Sequence, residues 1–122
     1  MKTLLVSFLF LVHTLSALAK DSEVWVYFGT YTRGKDSEGI YVAKLNLETG
    51  SISKPTLAAE GDNPSFVTIL PEGRRLVAVE ETNDYGGKSS GSLASYLIDK
   101  SNGKLQLISR IPTKGGAPCH IS

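Results

Sequence analysis

The sequence predicts an all-β fold of the β-propeller type, and three observations carry that prediction. Short runs rich in β-branched and aromatic residues succeed one another along the chain, with no helical 3.6-residue period beyond the first segment. Every gap between the runs holds Gly, Pro, Asn, Asp or Ser, the residues that tight turns require. The pattern recurs after about 50 residues, the length of a four-stranded propeller blade. A small β-sandwich also uses short strands at close spacing; the repeat is what favours the propeller.

The first segment, MKTLLVSFLFLVHTLSALA, stands apart. A basic start at Lys2 leads into an apolar run from Leu4 to Val12, and small residues follow, with Ala17 and Ala19 flanking Leu18. This is the pattern of a secretory signal over residues 1–19, cut after Ala19. A membrane-spanning helix needs about 20 apolar residues, and His13, Thr14 and Ser16 interrupt this run. The expected location is the periplasm or the medium, with no membrane attachment after cleavage.

The strands follow in order. VWVYFGTY (24–31) and GIYVAKLNL (39–47) flank a polar loop, and the turn ETGS leads to a third strand over Ile52 to Ala58. SFVTIL (65–70) starts after Pro64, PEGR makes a turn, and RLVAVEE (75–81) is next. SLASYLID (92–99) and KLQLISRI (104–111) are joined through a Ser-Asn-Gly turn. Gly39 matches Gly91, Leu45 matches Leu97, Gly50 matches Gly103, and Pro64 matches Pro118. Ser65-Phe66-Val67 therefore corresponds to Cys119-His120-Ile121. Residues 65–111 form one whole blade from its inner strand outward, residues 24–58 the outer three strands of the blade before, and Cys119 the opening of the blade after. Residues 20–122 are thus expected to be the N-terminal blades of a truncated propeller. Leaving ~500 Å² of apolar blade face uncovered forfeits roughly 12 kcal/mol, as much as a typical domain's whole stability of ~5–15 kcal/mol. These residues alone are expected to self-associate or to melt without a sharp transition.

Composition removes several classes of function. Without Lys2, twelve basic residues face twelve acidic ones. Neither nucleic acid nor an anionic membrane surface is an expected partner, since both favour basic patches. The lone Cys119 rules out a disulfide scaffold. No CxxC, HxxxH or other zinc spacing occurs, so neither a metal nor another cofactor is expected. NDYGGKSSG (83–91) is glycine-rich but lacks the ending and the strand-to-helix setting of a phosphate-binding loop, and is expected to be a flexible connection.

FGTYTRGKDSEGIYVAKLN, NPSFVTILPEGRRLVAVEE, SYLIDKSNGKL and GAPCHIS together resemble the bacterial lactonase family, the 6-phosphogluconolactonase-like seven-bladed propellers. The resemblance runs from Val24 to Ser122. It implies a propeller of which about the first third is present, and a hydrolase that opens a sugar lactone.

Opening a lactone requires water to attack the ester carbon with help from a base, and donors or cations to hold the oxyanion. In antiparallel blades the start of an inner strand lies beside the end of the second. Ser65, Cys119 and His120 should therefore share one end of the ring with Thr30 and Glu80. His120 is the expected base or substrate donor, because it replaces Phe66 of the preceding repeat and His is poised near neutral pH. Glu80 follows Leu76 and Ala78 on one strand face and is the second catalytic candidate; the alternative is a solvated rim charge. The resemblance supports an acid at Glu80 without giving its role. Thr30 and Tyr31 are the substrate-binding candidates, against a role in shaping the turn. Arg33 and Lys35 could meet a phosphate but are expected to be solvated. Cys119 and His120 point to opposite faces of a strand, so Cys119 is expected to be buried and structural.

Two other functions fit the same residues. One is a non-catalytic propeller that binds a carbohydrate or a protein. The other is a cycloisomerase of the muconate-lactonising type. Export also raises the question of whether the lactone is phosphorylated, since phosphorylated gluconolactone is a cytoplasmic metabolite.

Overall fold

A computed structural model describes residues 22–122. The expected export signal, residues 1–19, lies outside the described residues. Seven strands form two antiparallel sheets. The first sheet holds β1 (Glu23–Phe28), β2 (Gly39–Asn46) and β3 (Thr56–Glu60) in that order. The second holds β4 (Phe66–Ile69), β5 (Arg75–Glu80), β6 (Ser92–Ile98) and β7 (Leu105–Pro112), again in chain order. Each sheet is a simple meander, the topology of a propeller blade.

The repeat read from the sequence is a repeat in backbone conformation. Gly50 and Gly103 both close hairpins at positive φ, 72° and 75°, which glycine adopts without steric cost. Asn63 and Ala117, the residues before the two matching prolines, both have φ of 49°. Gly39 and Gly91 are both buried at strand starts. A Cβ on Gly39 would lie 2.1 Å from the Ala59 carbonyl oxygen, and one on Gly91 would lie 2.3 Å from Pro118.

Two expected strands differ. The third was expected over Ile52 to Ala58. Instead Ile52 makes a single bridge to Leu45, and the strand proper begins at Thr56. Pro55 separates the two pieces, since proline has no N–H to give to a ladder. No strand forms at Cys119 either. Residues 113–122 join no sheet and bond to loops instead, with Gly91 N–H donating to the Gly115 carbonyl at 2.9 Å and Ala117 N–H to the Thr82 carbonyl at 2.8 Å.

The core lies between the sheets. Ile40 of the first sheet packs with Leu76, Ala78, Ala94 and Tyr96 of the second. Leu76, Ala78 and Glu80 alternate along β5, so this is the face on which Glu80 also stands. At one end of the seam the β6–β7 turn seats on β1. Trp25 Nε1 donates to the Lys100 carbonyl at 3.1 Å, and the Tyr27 hydroxyl donates to the Gly103 carbonyl at 2.9 Å. Burial, and then the charge of Asp99, push the Tyr27 phenol up to about 12. The opposite end of the seam carries the loops of interest for function.

Candidate functional site

Asn63 organises that end. Its side-chain oxygen accepts from the backbone N–H of Thr32 at 2.8 Å and of Arg33 at 3.0 Å. Its amide donates to the Glu81 carbonyl at 3.2 Å, and its own N–H is received by the Thr32 hydroxyl at 2.9 Å. One residue at positive φ thus ties the β1–β2 loop to the end of β5.

The loop so held brings Tyr31 to Glu81. The Tyr31 hydroxyl donates to Glu81 Oε2 at 2.8 Å, and the Ser65 hydroxyl donates to the same oxygen at 2.6 Å. The Ser65 bond, followed by the Tyr31 bond, holds the Glu81 carboxyl below its ordinary value. The Tyr31 phenol is raised in turn, first by that hydrogen bond. Beside Ser65, the Phe66 ring meets the His120 ring with centroids 4.6 Å apart and planes inclined by 54°. These are the two residues that the repeat equates. His120 and Cys119 are both exposed. The expected burial of Cys119 is not found among the described residues, where its side chain is exposed.

Thr30 and Glu80 do not join this group. The Thr30 hydroxyl donates to the Gly39 carbonyl at 2.6 Å and fixes the turn. Glu80 is neither a solvated rim charge nor beside His120. Its side chain is 2% exposed and lies against β6 and β7. Arg110 Nη2 donates to Oε1 at 2.8 Å, Arg110 Nε stands 2.7 Å from Oε2, and the Ser92 hydroxyl donates to Oε2. The bond to Glu80 raises the Arg110 guanidinium above its usual value. The reason for the division is strand alternation: Glu80 continues the core face of β5, and Glu81, one residue on, leaves on the other side.

Arg33 also departs from expectation. While staying exposed, it forks between two loops, with Nε donating to Asp62 at 2.7 Å and Nη1 donating to Asp84 at 2.9 Å. Its Nη2 lies 2.5 Å from Asp62 and 2.7 Å from Asp84. Arg33, Asp62, Asp84, Glu80 and Arg110 line a cleft of about 340 Å³ between the sheets. The 83–91 loop closes on itself, with Tyr85 N–H donating to the Ser90 carbonyl at 2.8 Å around a short turn at Tyr85–Gly87. Among the described residues, no group of three or more His, Cys, Asp or Glu is arranged to hold a metal ion.

Sequence reasoning placed Ser65 at this end without a role and passed over Glu81 as a site member. The doublet Glu80-Glu81 offered two acids, and burial preference favoured the one in phase with the apolar residues. The available signal was the opposite one: the acid out of phase with the core face is the one free to reach the loop end.

Comparison with known proteins agrees with this architecture. The family model described as lactonase, 7-bladed β-propeller, matches residues 25–122. A 6-phosphogluconolactonase of Bacillus subtilis is 38% identical over 96 residues, covering 79% of this chain and 26% of that protein. A 6-phosphogluconolactonase of Formosa agariphila is 31% identical over 99 residues, with the same coverage of each. The solved structure of a periplasmic gluconolactonase from Pseudomonas aeruginosa superposes with a TM-score of 0.70 at 37% identity, covering 80% of this chain and 27% of its own. The chain thus spans about a quarter of the length of these relatives. With its two meander sheets and the matched residues 25–122, it belongs to the lactonase family of seven-bladed β-propellers.

Proposed function

We propose that the protein is an exported hydrolase that opens a sugar lactone, with His120 at the reacting centre. The observation that carries this is the exchange of a ring for a ring. At the position where one repeat holds Phe66, the next holds an exposed imidazole tilted against it. A packing position has become a position with proton chemistry, against Phe66, whose chain neighbour Ser65 bonds to Glu81 beside Tyr31.

In the proposed reaction a water oxygen attacks the lactone carbonyl carbon while His120 takes the water's proton. The carbonyl electrons move to oxygen and form an oxyanion, which needs donors aimed at it. When the tetrahedral centre collapses, the bond to the ring oxygen breaks and that oxygen takes the proton from His120. One water is consumed and one hydroxy acid is formed, and this chemistry needs no metal or cofactor. Tyr31 and Glu81 lie where substrate hydroxyls would be held. Thr30 shapes the loop that presents Tyr31. Glu80, with both oxygens engaged, is assigned a supporting role rather than an acid-base one. Export is supported by the pattern of residues 1–19 and by the periplasmic relative.

The test is acid release from a panel of aldonolactones by the whole protein, wild type and His120→Gln. Release by the wild type, lost in the variant without a change in melting temperature, is the expected result. Equal turnover in the variant would remove His120 from the mechanism, and no release with any lactone would leave a binding protein as the better reading.

A further inference from the structure

The Glu81 carboxylate is used on one side only. Oε2 accepts from both Tyr31 and Ser65. Oε1 has no hydrogen-bond partner among the described residues, and the side chain is only half-buried. A carboxylate held through Oε2 by two hydroxyls presents Oε1 as a charged acceptor, on the network that Ser65, next to Phe66 in sequence, helps to hold. The charges around it matter equally. Arg33, joined to the same network through Asn63, has its guanidinium engaged by both Asp62 and Asp84. Lys35, in the same loop, is exposed and is accompanied there by Asp36 and Glu38. Arg110 is held inward by Glu80. Lys88 lies exposed in the 83–91 loop. No guanidinium at this end of the described residues is therefore left to fork onto a phosphate, the geometry that phosphate recognition favours.

Resting on the lactonase reading above, we infer that Glu81 is a specificity-determining residue that selects a neutral, polyhydroxylated lactone over its phosphorylated form. A substrate hydroxyl donates to Glu81 Oε1, a charge-assisted bond. A phosphate brought to the same end meets the carboxylate with like charge, and discrimination against the wrong ligand comes from that repulsion. Ser65 and Tyr31 act on the substrate through Glu81, by fixing which oxygen is free.

The test uses the whole protein with D-glucono-1,5-lactone and its 6-phosphate as probes, and compares kcat/KM for the two. The wild type should favour the unphosphorylated lactone. Glu81→Gln, which keeps the shape and removes the charge, should shrink that preference roughly tenfold by relieving the like-charge repulsion of the phosphate. Raising the salt concentration should narrow the wild-type preference through screening. A wild type that prefers the phosphorylated lactone overturns the inference, and so does a preference that Glu81→Gln leaves unchanged. If neither lactone is opened, the hydrolase reading fails instead. Calorimetric binding of gluconate against 6-phosphogluconate by the wild type then decides the selectivity: tighter gluconate binding sustains it and tighter 6-phosphogluconate binding refutes it.

Discussion

Replacing Arg110 by Met should destabilise the protein far more than any exposed ion pair could account for. Glu80 is 2% exposed, and the Arg110 side chain that neutralises it is 31% exposed. Removing one partner of a buried pair strands the other charge in a low-dielectric setting and costs about 3–5 kcal/mol. Water can reach part of Arg110, so the lower end, about 3 kcal/mol, applies here. Two neighbours sharpen the effect. Ser92 is left as the one hydrogen-bond donor to the carboxylate. The buried Tyr96 hydroxyl has no hydrogen-bond partner among the described residues, and its phenol is raised by burial and then by the charge of Glu80. The Arg33 pairs give the contrast. Their side chains are 47% to 61% exposed, and solvent screening leaves such surface pairs little net worth. The assay is urea denaturation of the whole protein, with midpoint and slope fitted together so that a change in slope exposes any loss of cooperativity. Removing both charges in Glu80→Gln/Arg110→Met should recover at least half of the loss, because no unpaired charge remains buried. A single Arg110→Met shift below about 0.5 kcal/mol, the range of ordinary surface substitutions, would refute the reasoning.

Two further outcomes follow from the seam and its hinges. Gly39→Ala should lower stability by roughly 1–3 kcal/mol, as overpacking does, because the new methyl would meet backbone atoms at 2.1 and 2.7 Å that cannot swing aside; an unchanged thermal midpoint would count against the packing at that strand start. Tyr27 has its phenol raised to about 12 from 10.0, so the stability it contributes is complete below pH 10 and is lost as pH rises from there through about 12, the unfolded chain ionising first. Tyr27→Phe should cost about 1 kcal/mol at neutral pH for the lost bond to Gly103 and should lack that alkaline decline, which urea midpoints measured from pH 8 upward would reveal.

The blade plan was legible because it is written in short-range terms. The strand runs, their turn residues and the recurrence of Gly39 at Gly91, Gly50 at Gly103 and Pro64 at Pro118 all reflect local backbone needs, and each recurs in the structure as a matching φ or a matching blocked Cβ. Ile52 to Ala58 was misread as one strand because β propensity alone outweighed Pro55. The site was less legible, since its contacts are long-range. The Tyr31–Glu81 bond spans fifty residues, and the fork of Arg33 joins Asp62 and Asp84 from two different loops. Nothing in the local sequence marks Arg33 as paired or Asn63 as the residue that holds the loop.

The Glu80-Glu81 doublet shows how a repeat fold separates support from chemistry within two residues. Alternation along β5 sends Glu80 into the seam, where burial demands a partner and Arg110 of β7 supplies it. The same alternation sends Glu81 outward, where partial exposure lets it keep one oxygen unpaired. Identical side chains thus meet opposite requirements, set by phase alone. The Phe66–His120 pair obeys the same logic around the repeat rather than along a strand. Blade geometry brings equivalent positions of neighbouring repeats face to face, so a single change from Phe to His places an imidazole against an aromatic wall without altering the fold. Function in such a ring is therefore best sought where a repeat departs from its own pattern, as it does where His120 stands in the place of Phe66.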